Sequence, residues 1–265
     1  MTVEQEKMAN LPEKLAPLGY VSGVVSTDDL HGATPAAFFA HQSSRGASDA
    51  IWADLTDCAL SFASAGTRKA YEKLDLKTRN AIEEEFDVVF DPAEVAGQDR
   101  LIYLPETVNS QRGDYLPETT RMAIDFLSAR SRKGFFLMVE GACIDKFSHD
   151  NDFDGATKCV MAFDDAVKAA VEYAKEDGET LVVVTADHET GGIKYNAEKD
   201  EYYYTRTDHS TADVPLFVSE SDAGFTDGQL VENRQISVQI ARVMGFDETQ
   251  FPAVKPYSGD PVITK

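Results

Sequence analysis

Two apolar runs in this chain each lead straight into side chains able to hold a cation or move a proton. FFLMV, residues 135–139, runs into Glu140 and then GACIDKFSHD, which delivers Asp145 and His149. TLVVVTA, residues 180–186, runs into Asp187 and His188. Such groups cost several kcal/mol to bury unpaired, and a bound cation removes that cost. Asp145 and His149 are four residues apart, so on a helical turn both face one way, and oxygen plus imidazole suits zinc better than calcium or magnesium. Asp187 and His188 are adjacent and can meet on one ion only where a strand turns into a loop. His209, in TDHSTADVPLFV, precedes another apolar run and can serve either pair. Asp145, His149 and His209 together would make the three-ligand set of a catalytic zinc with one open position. Taken singly, a DH pair or a DxxxH spacing is common by chance, and hydrogen-bonded structural pairs are the alternative. Taken together, three of only five histidines fall beside carboxylates at strand ends.

The elements that must position these groups can be read from periodicity. GYVSGVVST, residues 19–27, reads as a buried strand. In ATPAAFFAHQSS, Thr34 reads as the N-cap and Pro35 as the first helical residue. FFLMV reads as a short apolar strand and TLVVVTA as a continuous one, the kind covered on both faces in a parallel sheet. Between them, Ala156, Val160, Phe163, Val167, Ala170, Val171 and Ala174 recur at helical spacing, and Gly178 ends the pattern. VPLFV at 214–218 reads as another strand and residues 232–244 as a closing helix. Strand and helix in alternation predict an α/β sandwich, a mostly parallel sheet between helices, in a single domain spanning 1–265. In such folds ligands bind beyond the carboxyl ends of the strands, where the candidate residues stand.

Composition removes several functions. The formal charge is −21, from 46 acidic against 25 basic residues, and no basic patch offsets it. That surface repels nucleic acid and anionic membranes. No apolar run approaches the roughly eighteen residues of a membrane span, and the N-terminal residues as written have no signal-peptide core. Cys58, Cys143 and Cys159 are odd in number and lack CxxC spacing, so they read as small core residues.

VEGACIDKFSHDND resembles the alkaline phosphatase motif VEGxxIDxxxHxND, and VVVTADHETGG resembles that family's TADHETGG block. ATPAAFFAH, Arg45 eleven residues after Thr34, and HSTADVPLFV also look like family landmarks, in the family's order. The resemblance runs from about Gly19 to about Val243, loosely over residues 50–130. It implies metal-dependent hydrolysis of small phosphate monoesters, with two zinc ions and one magnesium ion. Asp145, His149 and His209 match ligands of the first zinc, and Asp187 and His188 match two ligands of the second. Glu140 and Thr34 match magnesium ligands. Arg45 matches the arginine that forks onto phosphate, with a helix-terminal arginine as the alternative. Lys146 matches a residue close to the phosphate through water, with a surface lysine as the alternative. Gly32 stands where relatives carry a charged or imidazole side chain, and His31 is one residue off.

The chain departs from the family upstream of Thr34. The nucleophilic serine of a DSA-type motif and an aspartate bridging the second zinc and the magnesium belong there, and neither motif occurs. SFASAGT around Ser64 echoes the serine motif by chance, since it lies downstream of Arg45. The expectation is therefore an N-terminally truncated portion of the family fold, missing a leading strand and helix. Its activity alone would be impaired, and its partners would be a second copy or a complementing N-terminal fragment. The other reading is a non-catalytic metal- or phosphate-binding relative. Family resemblance also implies a periplasmic or secreted location.

Overall fold

The computed structural model describes residues 7–95, 97–106, 108, 113–220 and 223–251. Contacts group them into two compact units. One takes in the chain up to Phe147 together with Asp152–Ala170; the other takes in Ser148–Asn151 and the chain from Val171 onward.

The first unit is built on strands β1 (Val21–Ser26), β2 (Phe62–Ser64), β3 (Asp87–Val89), β4 (Leu101–Tyr103) and β5 (Phe135–Glu140). They form one parallel sheet in the order β3-β4-β2-β1-β5. Alternation along the strands decides its layers. Val24, Ala63 and Ile102 point into one buried cluster, while Val25, Phe62, Leu101 and Tyr103 point into another. A strand buried on both faces needs a helical layer on each. Helix α1 (Leu11–Leu15) precedes β1, α2 (Ala33–Ala36) and α3 (Ser48–Asp54) lie between β1 and β2, and α4 (Arg68–Glu72) and α5 (Leu76–Glu85) lie between β2 and β3. Trp52 of α3, Tyr71 of α4 and Ile82 of α5 fill the first cluster. Leu116, Ala123, Phe126 and Leu127 of α6 (Tyr115–Ser128) fill the second. The α/β class and the parallel sheet are as the sequence predicts.

Register places the chemistry. β1 and β5 pair from Val21 with Phe135 through to Ser26 with Glu140, so both strands deliver their last residues at one level. The Thr27 N–H donates to the Glu140 carbonyl at 3.1 Å. The Cys143 N–H then donates to the Thr27 hydroxyl at 3.0 Å, which fixes the start of α7 (Cys143–His149). Helix α8 (Phe153–Asp177) comes next, and Gly178 at φ +73° ends it, as its spacing predicts. Both α7 and α8 run from the first unit into the second.

In the second unit, β6 (Val183–Val184) pairs antiparallel with β11 (Phe217–Val218), and β7 (Glu189–Thr190) with β10 (His209–Ser210). β8 (Lys194–Asn196) and β9 (Glu201–Tyr203) form a hairpin, and α9 (Asn233–Val243) closes the described chain. Two sequence expectations need correction. TLVVVTA reads as a long parallel strand, but among the described residues only Val183 and Val184 find ladder partners, and those are antiparallel; apolar character alone does not make a ladder. Thr34 reads as an N-cap, but Gly32 caps α2, and Thr34 is its second residue. Proline is tolerated anywhere in a first turn, so Pro35 does not mark the first helical position.

Candidate metal and phosphate site

The second unit gathers three histidines. His209 opens β10, opposite Thr190 of β7. Directly after β7, Gly191 and Gly192 turn the chain at φ +91° and +57°, a left-handed conformation that other residues adopt only with strain. A Cβ on Gly191 would meet the Tyr204 ring. His188 lies two residues before Thr190, and its ring stacks on that of His209 with centroids 3.5 Å apart. His149 completes the group, its Nε2 atom 3.0 Å from Nε2 of His209. Nδ1 of His149 contacts the Thr207 carbonyl. A carbonyl only accepts, so Nδ1 carries the proton and Nε2 of the neutral ring presents a lone pair. Nitrogens bound to one tetrahedral zinc at about 2.0–2.1 Å stand roughly 3.3 Å apart, close to the observed separation. Asp145 precedes His149 by one turn of α7, and Asp145, His149 and His209 each offer a ligand atom within 4.8 Å of the others. Asp187 is held at its carbonyl by Asn233 of α9, at 2.7 Å. Its carboxylate lies 3.2 Å from Nε2 of His188. The donor set, two imidazoles and a carboxylate with a second imidazole–carboxylate pair beside them, fits zinc.

In the first unit the remaining expected residues stand on β5, α7, α2 and an exposed turn. Glu140 ends β5 and accepts a hydrogen bond from the fully buried Ser26 hydroxyl of β1. Lys146, on α7, places its ammonium against the Asp28 carboxylate. Thr34 is half-buried in α2. Arg45 lies in an exposed turn closed by the Ala47 N–H on the Ser44 carbonyl at 3.1 Å, not at a helix end. Glu140 and Thr34 offer the hard oxygens that magnesium takes.

The alkaline phosphatase family model matches residues 104–250, more than half of the chain. This chain belongs to the alkaline phosphatase family. It is 32% identical over 241 residues to alkaline phosphatase 4 of Bacillus subtilis, covering 81% of this chain and 50% of that protein. It is 48% identical over 85 residues to the alkaline phosphatase of Escherichia coli, covering 31% of this chain and 18% of that protein. The chain spans about half the length of the first Bacillus relatives it matches. Among solved structures, the alkaline phosphatase of the Antarctic bacterium TAB5 superposes with a TM-score of 0.83 at 28% identity, covering 93% of this chain and 78% of that one. A variant of that enzyme with Mg bound in its M3 site superposes at 0.81 and 28% identity, covering 92% of this chain and 78% of that one.

Within this alkaline phosphatase fold, sequence reading missed Ser26 and Asp28. The signal was present, because STDD comes directly after the buried strand GVV just as Glu140 comes after FFLMV. Ser64 is a structural residue: fully buried on β2, it donates to the Tyr103 carbonyl at 2.8 Å and meets the Tyr115 hydroxyl at 2.9 Å. His41 bonds Glu13 at 2.7 Å and is structural too. His31 is half-buried, with Nδ1 out of reach of water. Cys143 and Cys159 are buried free thiols. A hydrogen bond from Cys159 holds the Cys143 thiol down at about 7 against the opposing effect of burial.

Proposed function

We propose that this chain carries the zinc, magnesium and phosphate-binding portion of a phosphomonoesterase of the alkaline phosphatase type. The observation that supports it is the meeting of His149 and His209 at 3.0 Å with Nδ1 of His149 already committed to a carbonyl. Asp145, His149 and His209 would hold one zinc ion, and Asp187 with His188 part of a second. Glu140 and Thr34 would hold magnesium. Bound ions of this kind offset charge developing on the phosphoryl oxygens. Arg45 offers the planar fork that suits two of those oxygens, and its exposed turn leaves it able to reach a ligand. Lys146 adds a positive charge, held against Asp28. The Thr207 carbonyl fixes the His149 tautomer, and the Ser26 hydroxyl orients Glu140, the outer contacts that ligands of this type need.

The serine and bridging aspartate of the resemblance have no counterpart in this sequence before Thr34, so the reading includes low turnover by this chain alone. The same resemblance points to the periplasm or the cell exterior as its location, and to a second copy or a segment supplying the serine as its partner. The test is metal content after dialysis against zinc and magnesium, together with hydrolysis of p-nitrophenyl phosphate, a sulfate ester and a phosphodiester. Retained zinc, with whatever turnover occurs confined to the monoester, is expected. Zinc and phosphate binding with no turnover would favour the non-catalytic relative. Failure to retain zinc, or preference for the sulfate ester, would overturn the reading.

A further inference from the structure

We propose that Asp28 is the positioning residue for Lys146, a carboxylate delivered from the end of β1 into space that Gly32 leaves open. The inference rests on the reading that Lys146 faces phosphate. Lys146 has a flexible stem, and its side chain is 52% exposed, whereas that of Asp28 is 20% exposed. The less mobile partner therefore sets the geometry. Asp28 is itself fixed from three sides. Its N–H donates to the Ser26 hydroxyl at 2.9 Å, its Oδ1 accepts the Asp29 N–H at 2.8 Å, and its carbonyl accepts the Gly66 N–H at 2.6 Å. The same Ser26 hydroxyl donates to Glu140, so one buried group holds the Asp28 backbone and the Glu140 carboxylate together.

Gly32 explains why the acid stands at 28. The Gly32 N–H donates to the Asp29 carbonyl at 2.7 Å, closing a tight turn over Asp28. A Cβ at position 32 would lie 2.6 Å from Oδ2 of Asp28, 2.9 Å from its Cγ and 2.9 Å from the Asp29 carbonyl. Gly32 is not in the left-handed region, its φ being −55°, so the glycine is required for room and not for conformation. The two positions compete for one volume, and here Asp28 occupies it. An exposed ion pair contributes little to folding; fixing where the ammonium sits is the effect left for it.

The experiment measures inorganic phosphate binding by calorimetry on zinc- and magnesium-loaded protein, with the melting point recorded for each variant. Asp28→Asn and Asp28→Ala should each weaken phosphate about tenfold, the scale of a contact acting through another group. Lys146→Ala should weaken it by a similar factor, and Asp28→Ala with Lys146→Ala by no more than Lys146→Ala alone. Gly32→Asp should lower the melting point while Asp28 is present. In Asp28→Ala the same Gly32→Asp change should restore phosphate binding to within about threefold of the parent. Phosphate binding by the parent that Asp28→Asn leaves unchanged, or additive losses in the double variant, would overturn the positioning role alone. No phosphate binding by the parent would overturn the functional reading and this inference with it.

Discussion

Replacing His209 by alanine removes one of two imidazoles that face each other at 3.0 Å, and a ring stacked on His188. The side chain is only half-buried, so the ion-free variant should melt close to the parent. The loss appears when zinc is added. An ion at a hundred times its dissociation constant stabilises the folded state by about 2.7 kcal/mol. For a domain of this size that raises the melting point by roughly 5–11 °C. Outer contacts alone are worth about 10–100-fold in metal affinity, so a lost ligand should weaken binding by at least about 100-fold. The same zinc concentration then only equals the variant's dissociation constant, which leaves about 0.4 kcal/mol, or roughly 1 °C. Scanning calorimetry on chelated protein with zinc added back measures both values. His41→Ala is the control, since His41 is committed to Glu13 at 2.7 Å. A full zinc shift in His209→Ala, or an equal loss in His41→Ala, would refute the assignment.

Three further outcomes concern the packing. Ser64→Ala strips a hydrogen-bond partner from the Tyr103 carbonyl and the Tyr115 hydroxyl; it should cost about 1–3 kcal/mol in urea unfolding and leave phosphate affinity unchanged. Gly23→Ala on β1 would place a methyl 2.9 Å from Leu127 Cδ1 and 3.2 Å from Phe62 Cβ, destabilising by about 1–3 kcal/mol; an unchanged urea midpoint would count against the close approach. Burial, with help from its bond to Glu83, pushes the Tyr71 hydroxyl well above its ordinary value of 10.0. Because the folded value is raised, its contribution is fully present below about pH 10 and is lost as pH climbs toward the folded value, where only the unfolded chain ionises readily. Tyr71→Phe should therefore flatten the fall in melting point above pH 10, and a parallel fall in both proteins would show the tyrosine is not responsible.

The parts of the fold legible in the sequence are those that repeat or run. β5 stands out because FFLMV is an unbroken apolar run, its side chains packing against both buried clusters, and β1 because GVV does the same in shorter form. α8 shows because 25 residues give its 3.6 period room to repeat. His149 and His188 are conspicuous because each stands just past an apolar run, close to a carboxylate. The strands β2, β3 and β4 have three residues each, too few to display a period, so the middle of the sheet stayed hidden. Ser26 was invisible as an orienting group because its partner Glu140 lies 114 residues away. The strand-end position of Asp28 is legible, but its role is not, because only the fold shows that its carboxylate fills the volume a Cβ at Gly32 would need. Arg45 by itself reads as a helix C-terminal arginine, and as a phosphate fork only through the family motif; the exposed turn it occupies is not written in its neighbours.

His149 and His209 are 60 residues apart in sequence, and the ladder beside His209 is only two residues long. A strand pair that short does not hold itself together in water. An ion gripped by both imidazoles would tie off a long loop much as a disulfide does, and the chain-entropy relation gives such a crosslink about 4 kcal/mol. Unlike a disulfide, this fastening ignores the redox state of its surroundings and comes undone with a chelator. Proteases would then be expected to cut first between these two histidines in stripped protein, and to be held off once zinc is returned.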